Sequence, residues 1–268
     1  MSKYVYVFRI FACFIMFGIP CLSYTQEGSE MVLIPAGEFI MGADEHYGEG
    51  PAHKVYLEAF YIDKYEVTNL QYCAFLNKVG NQAQGGVPCL YLKDSKIEHK
   101  NGRFTPIHGY EKHPVTQVTW YGAMAYSSWR KCRLPTEAEW EKALRGGFEG
   151  RTYSWGDEID PSMANYGQDT ENTTPVGSYP YNGYGLYDMT GNVWEWCNDW
   201  YAFDYYSTSP YRNPTGPDKG DARIVRGGGW EGPVHVYAKY LRCSFRHFLK
   251  PENTTFYLGF RCAKSLEQ

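Results

Sequence analysis

Apolar and polar positions alternate only over short stretches of this chain, and no apolar period lasts much beyond a dozen residues. Residues 31–42 predict a pair of short strands around a Pro/Gly turn, and the near alternation over 53–67 predicts another strand. A further short strand is predicted over 115–119. Residues 80–113 are polar and irregular, which predicts a long loop, and residues 148–268 predict mostly loops and short strands.

Three threonines mark predicted helix starts, because a threonine hydroxyl can accept a hydrogen bond from an unpaired amide of the first turn. Thr68 precedes a predicted helix that runs through Leu76, and Thr119 precedes one over 120–130. Residues 136–139, with the sequence TEAE, predict a capping box, and a Gly-Gly pair ends the helix that follows. The first helix is predicted to bury a face formed by Leu70, Cys73, Ala74 and residues 76–79.

The first 23 residues predict an export signal. Lys3 and Arg9 supply positive charge ahead of the apolar run 10–22, which is too short for a membrane span of about 20 residues. Plain secretion is favoured over lipid attachment at Cys21, because a proline precedes that cysteine where a small residue is wanted. An uncleaved signal anchor is the third alternative. The predicted location is therefore exported: periplasmic, secreted or at the outer surface.

Length and composition indicate one domain, since 268 residues without an internal linker suit a single core. We predict a signal peptide over 1–23 and one domain over 24–268. The 25 tyrosines, 14 phenylalanines and 8 tryptophans indicate that bulky aromatic side chains fill that core. A formal net charge of -4 without a dense Lys/Arg run argues against a nucleic-acid partner. Membrane contact is expected only through a lipid anchor or an uncleaved signal.

Six cysteines follow the predicted signal: Cys73, Cys89, Cys132, Cys197, Cys243 and Cys262. An even number of cysteines in an exported chain predicts disulfide bonds, because the compartment is oxidising. Six cysteines allow many pairings, and the sequence alone does not choose among them.

Four sequence blocks occur in a fixed order along the chain. Residues 133–141 have the sequence RLPTEAEWE, 185–197 have GLYDMTGNVWEWC, 226–230 have RGGGW and 259–262 have GFRC. Together these blocks resemble the formylglycine-generating enzyme family, also called the sulfatase-modifying factor family, over about residues 30–264. The resemblance implies an α+β domain with that family's variant of the C-type lectin fold, loop-rich with short strands and a few helices. It also implies an extended cleft.

The copper-binding cysteines of the family's oxidases are absent from this chain. Those oxidases hold Cu(I) through two thiolates that follow an Arg-Gly-Gly-Ser motif, and soft sulfur ligands suit Cu(I). The matching positions fall at Glu231 or Gly232 and at Val236 or Tyr237, and Gly229 replaces the serine. We therefore expect no copper. A different metal site would have only three weak candidates: His235, Cys243 and His247.

Two hard oxygen donors, Asp188 and Glu195, stand in the strongest block, and hard oxygen ligands from a short loop suit Ca²⁺. In the family this loop binds calcium, which implies a structural calcium held by Asp188, Gly191, Val193 and Glu195. A second family calcium site matches at Asn165 and Tyr166, although its other half is shortened and leaves only Asp169 as a substitute. A solvated loop is an equal alternative for that second site.

The resemblance also implies disulfide partners. In the family, the cysteine of the GFRC block pairs with a cysteine on the helix before the RLPTE block, and Ser127 occupies roughly that position here. Cys132 is then the partner expected for Cys262. The other expected pairs are Cys197–Cys243 and Cys73–Cys89.

Three functional hypotheses follow from the sequence. The first is a non-oxidising family member that binds a protein, peptide or glycan in the cleft. The second is a divergent oxidoreductase that modifies a protein cysteine or other substrate with a different metal site or none. The third is a structural envelope component or maturation factor. The first is favoured by the lost thiolates and by the aromatic residues of the C-terminal part: Trp230, Tyr237, Tyr240, Phe245 and Phe248.

Overall fold

The computed structural model describes residues 30–167, 172–232 and 237–266. Along these residues, short strands and three helices alternate with long irregular connections, which confirms the α+β class and the short elements. The strands are β1 Met31–Ile34, β2 Gly37–Met41, β3 His53–Leu57, β4 Phe60–Asp63, β5 Ile97–Lys100, β6 Arg103–Pro106, β7 Trp194–Trp200, β8 Arg223–Arg226, β9 His247–Leu249, β10 Leu258–Gly259 and β11 Ala263–Ser265.

The strands form four small sheets within the described ranges, in the orders β1-β4-β11, β10-β7-β8-β9, β2-β3 and β5-β6. Strand β7 lies inside the four-stranded sheet, parallel to β10 and antiparallel to β8. The first four residues of β7 are all buried. The GNVWEWC part of the second sequence block therefore enters the protein interior.

Several strand predictions were wrong in their pairing or extent. Strands β1 and β2 both form, but they do not pair with each other: Val32 lies opposite Ile62, and Phe39 lies opposite Val55. The predicted strand over 53–67 divides into β3 and β4, and the predicted loop over 80–113 contains the hairpin β5–β6. Residues 115–119 form no strand. Pairing is decided by distant partners, which a local pattern does not reveal.

The helices are α1 Asn69–Val79, α2 Trp120–Trp129 and α3 Glu137–Arg145, with 3-10 turns at Gln84–Gly86, Tyr205–Ser207 and Ala238–Leu241. All three helices begin at the predicted threonines. The Glu139 amide donates to the Thr136 hydroxyl at 3.1 Å, and the Thr136 amide donates to the Glu139 carboxylate at 2.9 Å. The predicted capping box is thereby confirmed. Helix α3 ends at Gly146 in the left-handed conformation, with φ of 63°.

The buried face predicted for α1 was only partly right. Cys73 and Leu76 are buried, but Leu70 and Val79 are 50% and 49% exposed. The helix buries Tyr72 and Phe75 instead, as well as the polar Asn69. Its aromatic side chains pack among other rings. The ring centre of Tyr72 lies 5.5 Å from that of Tyr126 and 6.0 Å from that of Phe260, and the ring centre of Phe75 lies 5.7 Å from that of Trp129. Aromatic packing therefore sets the orientation of this helix.

Helix α3 is buried along its whole length, charged residues included. Glu141 forms an ion pair with Arg145 at 2.7 Å, and it also pairs with Arg226 of β8. The Lys142 ammonium donates to the carbonyls of Pro35 at 2.9 Å and Gly37 at 2.8 Å. The charged groups of α3 are therefore satisfied by partners from distant segments. None of the described helices is long and apolar enough to cross a membrane.

The cysteine pairings were wrong, because all six cysteines of the described residues are free thiols. This applies to Cys132–Cys262, Cys197–Cys243 and Cys73–Cys89 alike. The Cys262 sulfur lies 3.3 Å from the Ser127 hydroxyl of α2, so Ser127 does occupy the position opposite Cys262. The Cys132 thiol turns instead toward the Arg130 carbonyl. The predicted signal segment, with Cys21, lies outside the described residues.

Candidate functional site

The loop that leads into β7 is tightly curled. Asp188, Gly191 and Asn192 have φ angles of 54°, 76° and 60°, in the left-handed region. No residue other than glycine fits at position 191, since a Cβ there would lie 2.5 Å from the Asn165 carbonyl oxygen. Asp188 on this loop and Glu195 on β7 are both buried.

Asp188 and Glu195 belong to a buried acidic cluster, which we define as Glu66, Asp188 and Glu195 together with Arg261. The Arg261 guanidinium donates to both oxygens of Glu195, at 2.7 and 2.8 Å. The Trp140 indole also donates to Glu195, at 2.9 Å. Asp188 accepts from the Gly177 amide at 2.6 Å. Three carboxyl groups thus share one guanidinium.

The remaining carboxyl of the acidic cluster, Glu66, is held by hydrogen bonds from the motif loop. The Asn192 amide group donates to it at 2.7 Å, and the Val193 backbone amide donates at 3.3 Å. Both donors are neutral, so the positive charge nearest to Glu66 is that of Arg261, which it shares with Asp188 and Glu195. Glu66 thereby ties β4 and the segment after it to the loop before β7.

The pKa values of this cluster show an excess of negative charge. Burial raises the pKa of Asp188 to about 6. Burial, followed by the charges of Asp188 and Glu195, raises the pKa of Glu66 well above its usual value. Burial lowers the pKa of Arg261, but Glu195 outweighs that effect and the pKa is raised. The cluster therefore favours an added positive charge, either protons or a bound cation.

The structure places all four residues of the first predicted calcium site on one short segment, with Asp188 and Glu195 in the acidic cluster. Within the described ranges, no group of three or more His, Cys, Asp or Glu side chains is placed to hold a metal ion. Sequence reasoning missed Glu66 and assigned no role to Arg261. The GFRC block was the available signal for Arg261, whereas Glu66 carries no spacing signature.

The residues of the second predicted calcium site lie beside the same loop. The Asn165 side chain donates to the Asn172 carbonyl at 3.1 Å and to the Asn192 side chain at 3.3 Å. Tyr166 is buried, its hydroxyl has no hydrogen-bond partner, and burial raises its pKa to about 12. Asp169 lies outside the described residues.

The three weak candidates for a rebuilt metal site are not brought together. His235 lies outside the described residues. Cys243 is fully buried in the core beneath α3, and burial raises the pKa of its thiol to about 12, so it stays protonated near neutral pH. His247 lies on β9, with its ring 5.2 Å from the Trp194 ring.

A cavity of about 280 Å³ opens beside the segment that replaces the copper site. Its apolar side is formed by Trp230 and Phe256, whose ring centres are 5.7 Å apart. The other groups on its wall are polar: Asp94, Ser95, Lys96, Thr116, Asn172 and Thr173. Phe256 is 48% exposed, so this aromatic pair is open to a ligand.

A larger hollow of about 700 Å³ lies elsewhere, next to the last described residue of the chain, Leu266. The charged groups on its wall are Glu58, Arg133 and Glu139. Arg133 and Glu139 form an ion pair at 2.6 Å, and Glu58 pairs with Arg212. Since each of these charges already has a partner, we place the candidate site at the smaller cavity, which adjoins the RGGGW block.

Comparison with known proteins agrees with this architecture. A family model described as the sulfatase-modifying factor enzyme 1-like domain matches residues 21–266. The serine/threonine-protein kinase pkn1 of Chlamydia pneumoniae is 46% identical over 242 residues, which cover 89% of this chain and 38% of that protein. The chain thus spans less than two-fifths of that relative's length.

Two further similarities extend over nearly the full length of the proteins compared. The formylglycine-generating enzyme of Streptomyces coelicolor is 36% identical over 284 residues, with 88% of this chain and 89% of that protein covered. The solved structure of PvdO from Pseudomonas aeruginosa superimposes with a TM-score of 0.69 at 27% identity, covering 88% of this chain and 94% of PvdO. The fold predicted from the four sequence blocks is thereby confirmed.

Proposed function

Since the chain belongs to the sulfatase-modifying factor family, we propose that it is an exported family domain without copper-oxidase activity that binds a protein, peptide or glycan ligand in its cleft. The observation that carries this proposal is the aromatic pair Trp230–Phe256 at the mouth of the 280 Å³ cavity. Aromatic faces with a few convergent polar groups are typical of ligand pockets. The rim here offers hydroxyl, amide, carboxylate and ammonium groups.

The residues at the lost cysteine positions support a role without copper. Glu231 supplies a hard oxygen donor, and Gly232 has no side chain, whereas Cu(I) selects soft sulfur ligands. The alternative of a divergent oxidoreductase receives no support from the described contacts, since Cys243 and His247 lie in separate surroundings. The kinase activity named for the chlamydial relative is not part of the proposal, because the match covers 38% of that protein.

Removing the aromatic pair should abolish most ligand binding. We expect Trp230→Ala to weaken binding by at least about tenfold, because central aromatic side chains dominate the affinity of such sites. The ligand is first found by probing glycan and peptide arrays with the labelled mature protein, and its affinity is then measured by calorimetry. Phe203→Ala is the matched control, since this ring is 46% exposed and packs on Tyr47 rather than lining the cavity.

Two results would contradict the binding role. Unchanged ligand affinity in Trp230→Ala would show that the ligand does not bind in the cleft. The oxidoreductase hypothesis would instead be favoured by two results together. The protein would hold one tightly bound equivalent of copper after anaerobic Cu(I) loading, and it would consume O2 in the presence of a cysteine peptide. The proposed export is checked by the mass of the mature chain, which should lack residues 1–23.

The same proposal includes a structural calcium at the acidic cluster. The donor chemistry fits a hard cation, because three carboxyl groups share one guanidinium and the pKa values of two of them are raised. The residues that would hold the ion are Asp188, Gly191, Val193 and Glu195. Calcium would neutralise the excess charge and stabilise the loop that precedes β7.

Calcium is expected to raise the melting temperature of the wild type, and more so at about pH 7.5 than at about pH 5. The pKa of Asp188 is raised to about 6, so the stabilisation from its protonated form is present below its usual pKa and is lost as the pH rises through about 6. Calcium binds the ionised carboxylate and replaces the lost proton. At a hundredfold excess over its dissociation constant, the gain is about 2.7 kcal/mol.

Asp188→Asn should remove the calcium response, and Asp218→Asn, at an exposed position, should keep it. Differential scanning calorimetry with calcium and with chelator measures both variants. A wild-type melting temperature that does not change with calcium at either pH would refute the site.

A further inference from the structure

Within the described ranges, the carboxyl group of Glu231 has no positively charged partner. Its Oε1 accepts a hydrogen bond from the Trp194 indole at 3.3 Å. Its Oε2 is shielded from solvent and accepts no hydrogen bond from the part of the chain that the structure describes. Among the described residues no lysine, arginine or histidine forms an ion pair with it. Burial raises the pKa of Glu231 to about 7, as expected for a carboxyl group without a counter-charge.

Aromatic rings cluster around the Trp194 indole, which donates to this carboxyl group. Trp194 is its hydrogen-bond donor, and the rings of Tyr240 and Phe245 lie 5.8 and 6.0 Å from Trp194. The ring centre of Tyr237 lies 5.1 Å from that of Tyr240. The charge of Glu231 also acts on Tyr257, whose pKa is raised first by burial and then by that charge. We call this group the aromatic cage: Trp194, Tyr237, Tyr240, Phe245 and Tyr257.

Four rings of the cage are partly accessible to solvent, and one of them already contacts a cation. Trp194 is 4% exposed, but Tyr237, Tyr240, Phe245 and Tyr257 are only partly buried. The Lys239 ammonium lies 4.9 Å from the centre of the Tyr240 ring, on the exposed side of the cluster. Trp230 and Phe256, which line the 280 Å³ cavity, are the chain neighbours of Glu231 and Tyr257.

Two glycines make room for this arrangement. A Cβ at Gly229 would lie 2.3 Å from Glu231 Oε2, and a Cβ at Gly232 would lie 1.9 Å from the Tyr237 ring. The serine that the family's oxidases carry at the position of Gly229 is therefore incompatible with the present position of the Glu231 carboxyl. The loss of the serine and the gain of the buried carboxyl belong to one local rearrangement.

We propose that Glu231 and the aromatic cage form a binding site for an alkylammonium group, as carried by a lysine side chain or a small free amine. A carboxylate attracts the ammonium directly, and the faces of tryptophan and tyrosine rings attract a cation that has lost part of its water. An ammonium ligand would supply the positive charge that the buried carboxyl lacks. This inference rests on the proposed binding role and names the ligand class of the cleft.

The test compares charged and neutral probes of the same shape. Nα-acetyl-lysine methylamide, butylammonium and the neutral Nα-acetyl-norleucine methylamide are titrated into ¹⁵N-labelled protein. The Trp194 indole N–H, which donates to Glu231, is the local NMR reporter. We expect saturable shifts of this signal with the charged probes and at least about tenfold weaker binding of the norleucine probe.

Two substitutions should weaken binding of the charged probes by about tenfold or more. Glu231→Gln removes the charge and keeps the shape, and Gly229→Ser displaces the carboxyl group from its present position. Glu149→Gln, which removes an exposed glutamate in the loop after α3, is the charge-matched control and should bind as the wild type does. The remaining amide signals show that each variant is folded.

Each outcome separates this inference from the broader proposal. Binding of the lysine probe alone identifies a polypeptide side chain, and binding of butylammonium as well identifies the free amine chemistry. Equal binding of lysine and norleucine probes, or unchanged binding in Glu231→Gln, would overturn the ammonium site. The binding role would still stand in that case if an array ligand is lost in Trp230→Ala.

Discussion

Replacing Arg261 with methionine is expected to lower the free energy of unfolding by about 3–5 kcal/mol. The guanidinium is fully buried and donates to both oxygens of Glu195 and to the Tyr187 carbonyl at 2.9 Å. Methionine fills much of the same volume, but it leaves the three carboxyl groups of the acidic cluster without any positive charge. Urea unfolding followed by tryptophan fluorescence, in the presence of a calcium chelator, measures the loss.

The loss should depend on pH in a direction that a simple packing defect would not show. Arg261 lowers the pKa values of Asp188 and Glu66, so without it these two groups hold protons more strongly at low pH and carry an uncompensated charge at high pH. The deficit should therefore be larger at about pH 7.5 than at about pH 5. Arg103→Met, at an exposed position of β6, is the control and should cost little at either pH. An Arg261→Met deficit that is equal at both pH values would contradict the electrostatic account.

The helix starts were predictable because their determinants are local. Thr119 and Thr136 each sit within three residues of the amide they accept from, at 3.0 and 3.1 Å. The partners of strands are not local. Strand β4 pairs on one side with β1 and on the other with β11, which lies about two hundred residues further along the chain. The alternation of apolar residues indicates that a strand forms, but not which edge it joins.

The residues of the candidate site also fall into those that a local pattern predicted and those that it did not. The GLYDMTGNVWEWC block pointed to Asp188 and Glu195, because the resemblance implies calcium ligands at these two positions. Glu66 is bonded to the motif loop through Asn192, across 126 residues of sequence, and Arg261 joins the cluster through Glu195, across 66 residues. Contacts of this kind arise from tertiary packing and leave no spacing in the sequence.

The sequence also did not predict the burial of the Glu231 carboxyl group, for a different reason. The sequence shows that a glutamate or glycine replaces a cysteine, but not that the side chain turns inward beneath Gly229. The inward turn depends on the space that two glycines leave and on the indole of Trp194, which comes from another sequence block. A substitution that looked like a simple loss is, in the structure, the gain of a buried carboxyl group beside Trp194.

Ser127→Cys is expected to form a disulfide bond with Cys262 and to raise the melting temperature by on the order of 10 °C. The Ser127 hydroxyl lies 3.3 Å from the Cys262 sulfur, and a sulfur at position 127 would reach further from its Cβ than the oxygen does. The bond would close a loop between residues 135 positions apart, and cross-links over such long loops stabilise by up to about 4–5 kcal/mol. Oxidised and reduced samples are compared by calorimetry and by peptide mass mapping.

The expected gain must come from the bond and not from the larger side chain. Ser127→Ala is the matched control: it loses the hydroxyl bond to the Ala123 carbonyl at 2.8 Å, and should cost about 1 kcal/mol with no dependence on reductant. A Ser127→Cys/Cys132→Ser double variant that keeps the full gain shows that Cys262, and not Cys132, is the partner. If Cys262 of the oxidised Ser127→Cys protein still reacts with an alkylating agent after unfolding, the two positions do not meet as the structure places them. Formation of the bond would mean that this chain keeps the geometry of the family's cross-link and has exchanged only one of its two sulfur atoms for a hydroxyl.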